Sequence, residues 1–344
     1  MVDITDPSGG GQVMLAGLGE SMSDADFLVP LTLVPAMAQR TDLALPGVTS
    51  RLLRSRIPVL QGTFARWYPA MRVAVVAAVG SAPEPAVLSR GRGSAAFFSG
   101  GVDSFYTALA LRDRLDALVF VTGFDFGIGR NEEPDSRRIA KLAHSAAGRL
   151  GLPLLHVRTS LRSYSDRRVL WGDHYVGSAL AAVALLLAPR FRSVAVPATH
   201  QARYDFPYGT HPRTDPLWST EQMRITHHGS GVSRPYKVSR ISRCAVAMDT
   251  LRVCWENRGG AYNCGTCEKC LRTMVELYLA GGLERCSTLP DQIDLAALSE
   301  LPVPDPSRRS FAISLLNSAR ASDRPRADRI ADALRHALRA GSGS

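Results

Sequence analysis

The stretch Phe97-Phe-Ser-Gly-Gly-Val-Asp-Ser104 decides the fold class of this 344-residue chain. The apolar run 95–98 is typical of a short buried strand, and the apolar periodicity from about 104 to 114 predicts a helix directly after it. Two glycines between them let the backbone approach a ligand without a Cβ. The helix would aim its free N–H groups and the positive end of its dipole at the same place. The motif therefore predicts an anion site completed by the hydroxyls of Ser99 and Ser104.

Further apolar runs and helical patterns alternate downstream of this motif. The runs cover 117–122, 154–157 and 193–196, and the helices are predicted over 136–150 and 177–187. Strands that alternate with helices predict an α/β fold, a parallel doubly wound sheet covered by helices on both faces. Asp125, just after the strand at 117–122, and the glycine loop would both lie at the carboxyl edge of the sheet, where ligands bind.

The cysteines are concentrated near the C-terminal end of this region. Four of the six fall in the pattern C-x9-C-x2-C-x2-C, at Cys254, Cys264, Cys267 and Cys270. Four thiolates are the common ligands of a closed structural Zn²⁺ site, and Gly265 would let such a knuckle turn. An iron–sulfur cluster needs the same number of ligands and stays open as the alternative. Cys244 and Cys286 lie outside the pattern and are expected to be small buried hydrophobic residues.

Ser99-Gly-Gly-Val-Asp-Ser104 matches the Ser-Gly-Gly-x-Asp-Ser signature of the PP-loop ATP pyrophosphatases, and it is neither a Walker A loop nor a dinucleotide-binding loop. With the cysteine pattern behind it, the chain resembles the 7-cyano-7-deazaguanine synthase (QueC) family over about residues 93–280. The resemblance implies an adenine nucleotide alpha hydrolase-like fold with a zinc knuckle. It also implies an ATP-dependent ligase that adenylates a substrate carboxylate, releases pyrophosphate, and uses ammonia or an amine to give an amide or nitrile.

The resemblance also implies roles for individual residues. The residues expected to bind ATP are Ser99, Gly100, Gly101, Val102, Asp103, Ser104 and Asp125. Asp103 would hold Mg²⁺ or cap the helix, and Asp125 would contact nucleotide or metal unless it is a surface turn residue. The candidate catalytic residues are Ser99, Asp103 and Arg213.

A polar loop after the strand at 193–196 carries the candidate substrate site. The residues assigned to it are His200, Arg203, Asp205, His211 and Asp215. An arginine here can clamp a carboxylate with two hydrogen bonds, and a histidine can shuttle a proton; a solvated loop without a role is the alternative. The family's Gly-Tyr-Pro-Asp-Cys-Arg-like run is rearranged here and lacks its cysteine, so the ligand-facing segment differs from the family's and the identity of the substrate stays open.

Charge and composition bound the remaining possibilities. The chain has 41 Lys and Arg against 31 Asp and Glu, a net charge of +10, and 45% hydrophobic residues. This composition excludes disorder over most of the chain, and the basic excess suits anion handling, with nucleic acid as the weaker alternative. Part of that excess is a series of basic residues spaced three apart: Arg234, Lys237, Arg240 and Arg243. These residues would either bind phosphate or form a solvated helix face.

We expect four segments along the chain. They are a β-rich or mixed N-terminal appendage over 1–90, the ATP-binding α/β domain over 91–243, the zinc-binding knuckle and helix over 244–290, and a basic helical extension over 291–344. The expected partners are a small-molecule carboxylate and ammonia or an amine, with a homodimer left open. The absence of a secretory pattern and of a run near the roughly 20 apolar residues of a membrane span favours a cytoplasmic protein without membrane contact.

Two other functional classes stay open. Related PP-loop enzymes transfer sulfur to tRNA or a nucleobase, which would require a persulfide-bearing cysteine, and only Cys244 and Cys286 are spare. A non-catalytic module that binds ATP and zinc and acts on a partner molecule is the other class. Salt-sensitive RNA binding without ATP turnover would favour that module.

Overall fold

The structure is a computed structural model that describes residues 2–4, 11–17, 25–47, 50–78, 92–124 and 134–340. The strands within these residues are β1 (Val2–Ile4), β2 (Gly11–Val13), β3 (Leu15–Ala16), β4 (Leu43–Leu45), β5 (Val76–Ala78), β6 (Gly93–Phe97), β7 (Ala117–Thr122), β8 (Leu154–Thr159), β9 (Phe191–Pro197) and β10 (Arg224–His228). The helices are α1 (Leu28–Gln39), α2 (Arg51–Trp67), α3 (Val102–Leu111), α4 (Pro134–Arg149), α5 (Leu161–Ser165), α6 (Val176–Leu186), α7 (Arg234–Ile241), α8 (Ala245–Thr250), α9 (Glu268–Leu279), α10 (Leu295–Ser299), α11 (Pro306–Arg320) and α12 (Ala327–Ala340).

A six-stranded sheet with the order β10-β9-β6-β7-β8-β3 forms the centre of the molecule. Its first five strands are parallel, and β3 joins the edge antiparallel to β8. The mostly parallel α/β sheet expected from the alternating pattern is therefore confirmed, with β3 and β10 as two strands that the pattern did not predict. The chain runs outward from β6 through β7 to β8 and then returns to the other side of β6 as β9. The carboxyl ends of β6 and β9 consequently flank a topological switch point, where open α/β sheets form their ligand crevice.

Helices cover both faces of the sheet because alternate strand residues point to opposite sides. On β6, Ala95 and Phe97 enter one apolar cluster together with side chains of α1 and α6. Ala96 belongs to a second cluster, which contains side chains of α3, α4 and α7. Nearly every side chain of α6 is buried, as its uninterrupted apolar sequence requires.

The N-terminal residues pack onto this same body. α1 lies against α6, and its Leu31, Leu33 and Met37 share the apolar cluster of the first sheet face. β3 lengthens the main sheet, whereas β4 and β5 pair with each other in a separate two-stranded parallel sheet. The described part of the region before residue 79 therefore shares its core with the strands that carry the glycine loop.

The C-terminal helices form a small unit on the opposite flank. α10, α11 and α12 pack against one another, and α11 also contacts α9. The contact between these helices is a buried apolar cluster that contains Leu298, Leu315, Leu334 and Val275 of α9. The extension therefore sits directly on the helix that follows the cysteine cluster. None of the described helices has the length and apolar character needed to cross a membrane.

Candidate functional site

The glycine loop lies where the sequence placed it, between the carboxyl end of β6 and the start of α3. Gly100 has φ +77°, a left-handed conformation that favours glycine, and Gly101 is the N-cap of α3. The Ser104 hydroxyl donates to the Gly101 carbonyl at 3.0 Å and lies 3.4 Å from the Ser99 hydroxyl. Val102, the first residue of the helix, is buried beneath the loop. The loop thus presents the exposed Ser99 hydroxyl beside the first N–H groups of a helix, with the Ser104 hydroxyl buried next to it.

Asp103 turns its carboxylate toward α7. Its Oδ1 accepts from Lys237 Nζ at 2.9 Å, and its Oδ2 accepts from Arg234 Nη1 at 3.2 Å. Lys237 is almost fully buried and also donates to the carbonyl of Ala198, just after β9. Burial opposes ionisation of Asp103, but Lys237 and Arg234 outweigh it and hold the pKa of this carboxyl below its usual range. The ionised Asp103 therefore fixes two cations beside the glycine loop.

A set of buried charges continues from Arg234 into α9. Arg234 Nε donates to Glu276 at 3.0 Å, its Nη2 donates to Thr273 at 3.3 Å, and Arg272 pairs with Glu268 at 3.2 Å. We call the six charged residues the ionic cluster: Asp103, Arg234, Lys237, Glu268, Arg272 and Glu276. With three cations and three carboxylates the cluster is formally neutral, although burial raises the pKa of Glu276. Only Arg234 and Lys237 of the predicted basic series belong to this cluster, because Arg240 and Arg243 are exposed.

The four patterned cysteines meet at one point. Their sulfur atoms all lie within 4.8 Å of one another, with Cys254 Sγ 3.8 Å from Cys267 Sγ and Cys264 Sγ 4.0 Å from Cys270 Sγ. Four sulfurs at the usual zinc–sulfur bond length define a tetrahedron with edges of about 3.8 Å. The predicted four-cysteine metal group is therefore confirmed as a set of residues that could hold an ion. Among the described residues it is the one cluster of three or more His, Cys, Asp or Glu ligand atoms close enough to do so.

The local backbone favours thiolates in this group. The N–H groups of Asn257 and Cys267 donate to the sulfurs of Cys254 and Cys264 at 3.2 and 3.3 Å. The hydrogen bond between the Cys267 and Cys270 side chains lowers the pKa of Cys267 to about 5 and raises the pKa of Cys270. Gly265 turns the knuckle with φ +76°, and a Cβ there would meet Pro290 at 2.8 Å. The donor set and its surroundings fit Zn²⁺.

The cysteine group is connected to the glycine loop through Arg252 and to the ionic cluster through α9. The N–H of Arg252, two residues before Cys254, donates to the Gly100 carbonyl at 2.9 Å. On the other side, α9 begins directly after Cys267 and carries the Glu268, Arg272 and Glu276 side chains. We therefore expect that loss of the cysteine group would shift both the glycine loop and the α9 side chains that bind Arg234.

Only His200 of the predicted substrate loop lies beside the ionic cluster. Its ring packs edge-on against Phe206 and Tyr208 at 4.7 and 4.8 Å, and it stacks on Phe311 at 5.1 Å. Burial, reinforced by Arg272, lowers the pKa of His200 to about 3. His200 is therefore neutral near pH 7.

The other predicted substrate residues lie in a second network. Asp215 is fully buried and accepts from His227 Nδ1 at 2.7 Å and from the His211 N–H at 3.2 Å. Asp205 pairs with Arg213 and lies 3.4 Å from His211 Nε2. The Arg213 side chain is 58% exposed. Arg203 is also exposed and donates to its neighbour Tyr204, while Asp125 lies outside the described residues.

Sequence reasoning did not predict that Arg272 and Glu276 belong to the ionic cluster, or that Phe311 packs against Arg272 and His200. The spacing Glu268, Arg272, Glu276 places three charges on one face of a helix, and this signal could have pointed to them. Phe311 carried no such signal, because its role depends on how α11 docks. Of the two unpatterned cysteines, Cys286 is buried as predicted and Cys244 is half-buried. Burial raises the pKa of the Cys286 thiol, which makes it a poor nucleophile at neutral pH.

No protein-family model matches the chain, and no curated protein matches it. Function therefore has to be inferred from the glycine loop, the ionic cluster and the four-cysteine group.

Proposed function

We propose that the chain is an ATP-dependent adenylating enzyme of the PP-loop type, similar to the 7-cyano-7-deazaguanine synthases, that activates a carboxylate and couples it to ammonia or an amine. The observation that carries the proposal is the position of the Ser99–Ser104 loop. It follows β6 at the topological switch point, opens a helix, and has two buried cations beside it. Backbone donors at a helix N-terminus in such a crevice suit a polyphosphate.

The loop would hold the part of ATP that becomes pyrophosphate. The N–H groups at the start of α3 supply donors, and the exposed Ser99 hydroxyl lies beside them. Lys237 and Arg234 are held beside the loop before the reaction, because Asp103 pairs with both. Negative charge grows on the leaving pyrophosphate, so preorganised donors and cations there favour the transition state more than the ground state.

The chemical step is an in-line displacement at the α-phosphorus. A carboxylate oxygen of the substrate forms a bond to phosphorus while the bond to the bridging oxygen breaks, and pyrophosphate leaves with that electron pair. Ammonia or an amine then attacks the acyl carbon of the acyl-adenylate, AMP leaves with the carboxylate oxygen, and the nitrogen loses a proton. Formation of a nitrile would need a second activation of the amide. Positioning and charge neutralisation account for most of such catalysis.

Metal ions enter the proposal in two different ways. The four cysteines fit a structural Zn²⁺ that orients α9 and Arg252, with an iron–sulfur cluster as the alternative. Mg²⁺ on Asp103 does not fit, since both oxygens of that carboxylate already face cations. Mg²⁺ is therefore proposed only as the counter-ion that ATP carries in solution, without a ligand among the described residues.

Exchange of labelled pyrophosphate into ATP is the experiment that tests this function. We expect exchange to require a carboxylic acid, because pyrophosphate can only re-form ATP from an enzyme-bound acyl-adenylate. A fractionated metabolite extract supplies the candidate acids. Lys237→Ala should reduce the exchange rate at least about tenfold through loss of a charge-assisted contact, whereas Arg240→Ala on the exposed side of α7 should match the wild type. Failure of every fraction to support exchange would contradict the proposal.

A further inference from the structure

Arg272 is a buried cation whose guanidinium is only partly matched. Its side chain is 5% exposed, and its Nη1 pairs with Glu268 at 3.2 Å. Within the described residues, its Nε has no hydrogen-bond partner. Native proteins seldom leave a buried N–H unmatched, and the cost is larger when the group is charged. The buried Nε–H therefore lacks an acceptor, and a bound ligand could supply one.

Phe311 restricts the direction from which an acceptor can approach. Its ring centroid lies 3.8 Å from Cζ of Arg272, so the ring covers one face of the guanidinium. Nη1 is engaged with Glu268 and lies away from the Nε edge. The remaining approach is along the edge formed by Nε and Nη2, whose two N–H bonds are parallel. This edge matches the two oxygens of a carboxylate.

Further aromatic rings pack around the Phe311 ring that covers Arg272. His200 stacks on the same Phe311 ring that covers Arg272, and Phe206 and Tyr208 pack against His200. Phe311 is also within 5.9 Å of Arg234, which contacts Asp103 at the glycine loop. Phe311 thus contacts Arg272, His200 of the loop that follows β9, and Arg234 beside the glycine loop.

Resting on the proposed function, we propose that Arg272 binds the carboxylate that the enzyme activates, through Nε and Nη2, with Phe311 and His200 as the wall of the substrate pocket. The sequence pointed instead to Arg213 for this task. Arg213 is 58% exposed and paired with Asp205, so water screens its charge. A buried guanidinium forms a stronger and more selective contact because its surroundings have a low dielectric constant.

The contact can be observed directly without turnover. In the zinc-loaded full chain labelled with ¹⁵N-arginine, the Nε–H signal of Arg272 is assigned by its disappearance in Arg272→Lys. Sodium benzoate serves as the probe, benzamide as its uncharged match, and sodium chloride as the ionic-strength control. We expect a saturable shift of the Arg272 signal with benzoate only. An unmoved signal, or a shift confined to another arginine, would overturn the assignment.

Kinetics provide a second test that separates this inference from the proposed function. With an acid found by pyrophosphate exchange, Arg272→Lys should raise the KM for the acid about tenfold or more and leave the KM for ATP within about twofold. Arg320→Lys, an exposed arginine on α11, is the control. An unchanged KM for the acid overturns the role of Arg272 and leaves adenylation standing. If the wild type shows no exchange, adenylation fails, and the benzoate titration still decides whether Arg272 binds carboxylates.

Discussion

Asp103→Asn is expected to abolish most of the activity, by a factor of about 100 or more, and to destabilise the fold by about 3 kcal/mol. The asparagine keeps the volume of the side chain but loses the charge that fixes Lys237 and Arg234. Removing one partner of a buried ion pair leaves an uncompensated charge, which costs about 3–5 kcal/mol, and the partial exposure of Asp103 favours the lower end of this range. Product formation and denaturant unfolding measure the two effects.

Asp113→Asn is the matched control, because Asp113 is exposed just after α3. If Asp103→Asn is as active and as stable as this control, the role assigned to Asp103 is wrong. The pH dependence gives a further check. The folded pKa of Asp103 lies below the ordinary value of 3.8, so its stabilisation is fully present above 3.8 and is lost as the pH falls through the folded pKa. The stability difference between wild type and variant should therefore be constant near neutral pH and shrink in acid.

If the four cysteines hold zinc and the loop binds ATP as proposed, removal of the zinc is expected to abolish ATP binding and to loosen the knuckle. Structural zinc supplies on the order of 10 kcal/mol of folding free energy in small zinc domains, because the ligands are not assembled without it. Here the metal group lies between Arg252, which donates to Gly100, and α9, which holds Arg234 through Glu276. A chelated sample should melt at a lower temperature and lose ATP affinity, and added Zn²⁺ should restore both.

Cys267→Ser should behave like the chelated protein, whereas Cys244→Ala should behave like the wild type because Cys244 lies outside the metal group. Metal analysis should find one zinc ion per chain. Iron together with the visible absorption of an iron–sulfur cluster would replace the zinc assignment by its alternative. A metal-free chain that keeps its melting temperature and its ATP affinity would contradict the coupling between knuckle and loop.

Local patterns made the sheet and the cysteine group predictable. A strand, a glycine turn and a helix are neighbours in sequence, so β6, the loop and α3 could be read from one short stretch. The cysteine spacing brings together Cys264 and Cys267, in the turn before α9, and Cys270, in the first turn of α9. Such features depend on few residues and short loops, and tertiary packing has little freedom to change them.

The ionic cluster could not be predicted in the same way. Asp103 meets its two cations across 131 and 134 residues of sequence, and the expectation of a magnesium ligand ignored that contact. The three-residue spacing of the basic series did not reveal that only Arg234 and Lys237 face the loop. Arg213 is exposed and Arg272 is buried, and nothing in the local sequence around either arginine indicates this difference.

Isotope transfer tests the central claim, the attack of a carboxylate on the α-phosphorus of ATP, most directly. An acid substrate labelled with ¹⁸O in both carboxylate oxygens is incubated with ATP, ammonia and the zinc-loaded chain, and the products are analysed by mass spectrometry. We predict one ¹⁸O in each AMP formed and none in pyrophosphate, because the oxygen that bonds to phosphorus leaves with AMP. AMP without label, or ADP with labelled inorganic phosphate, would contradict adenylation.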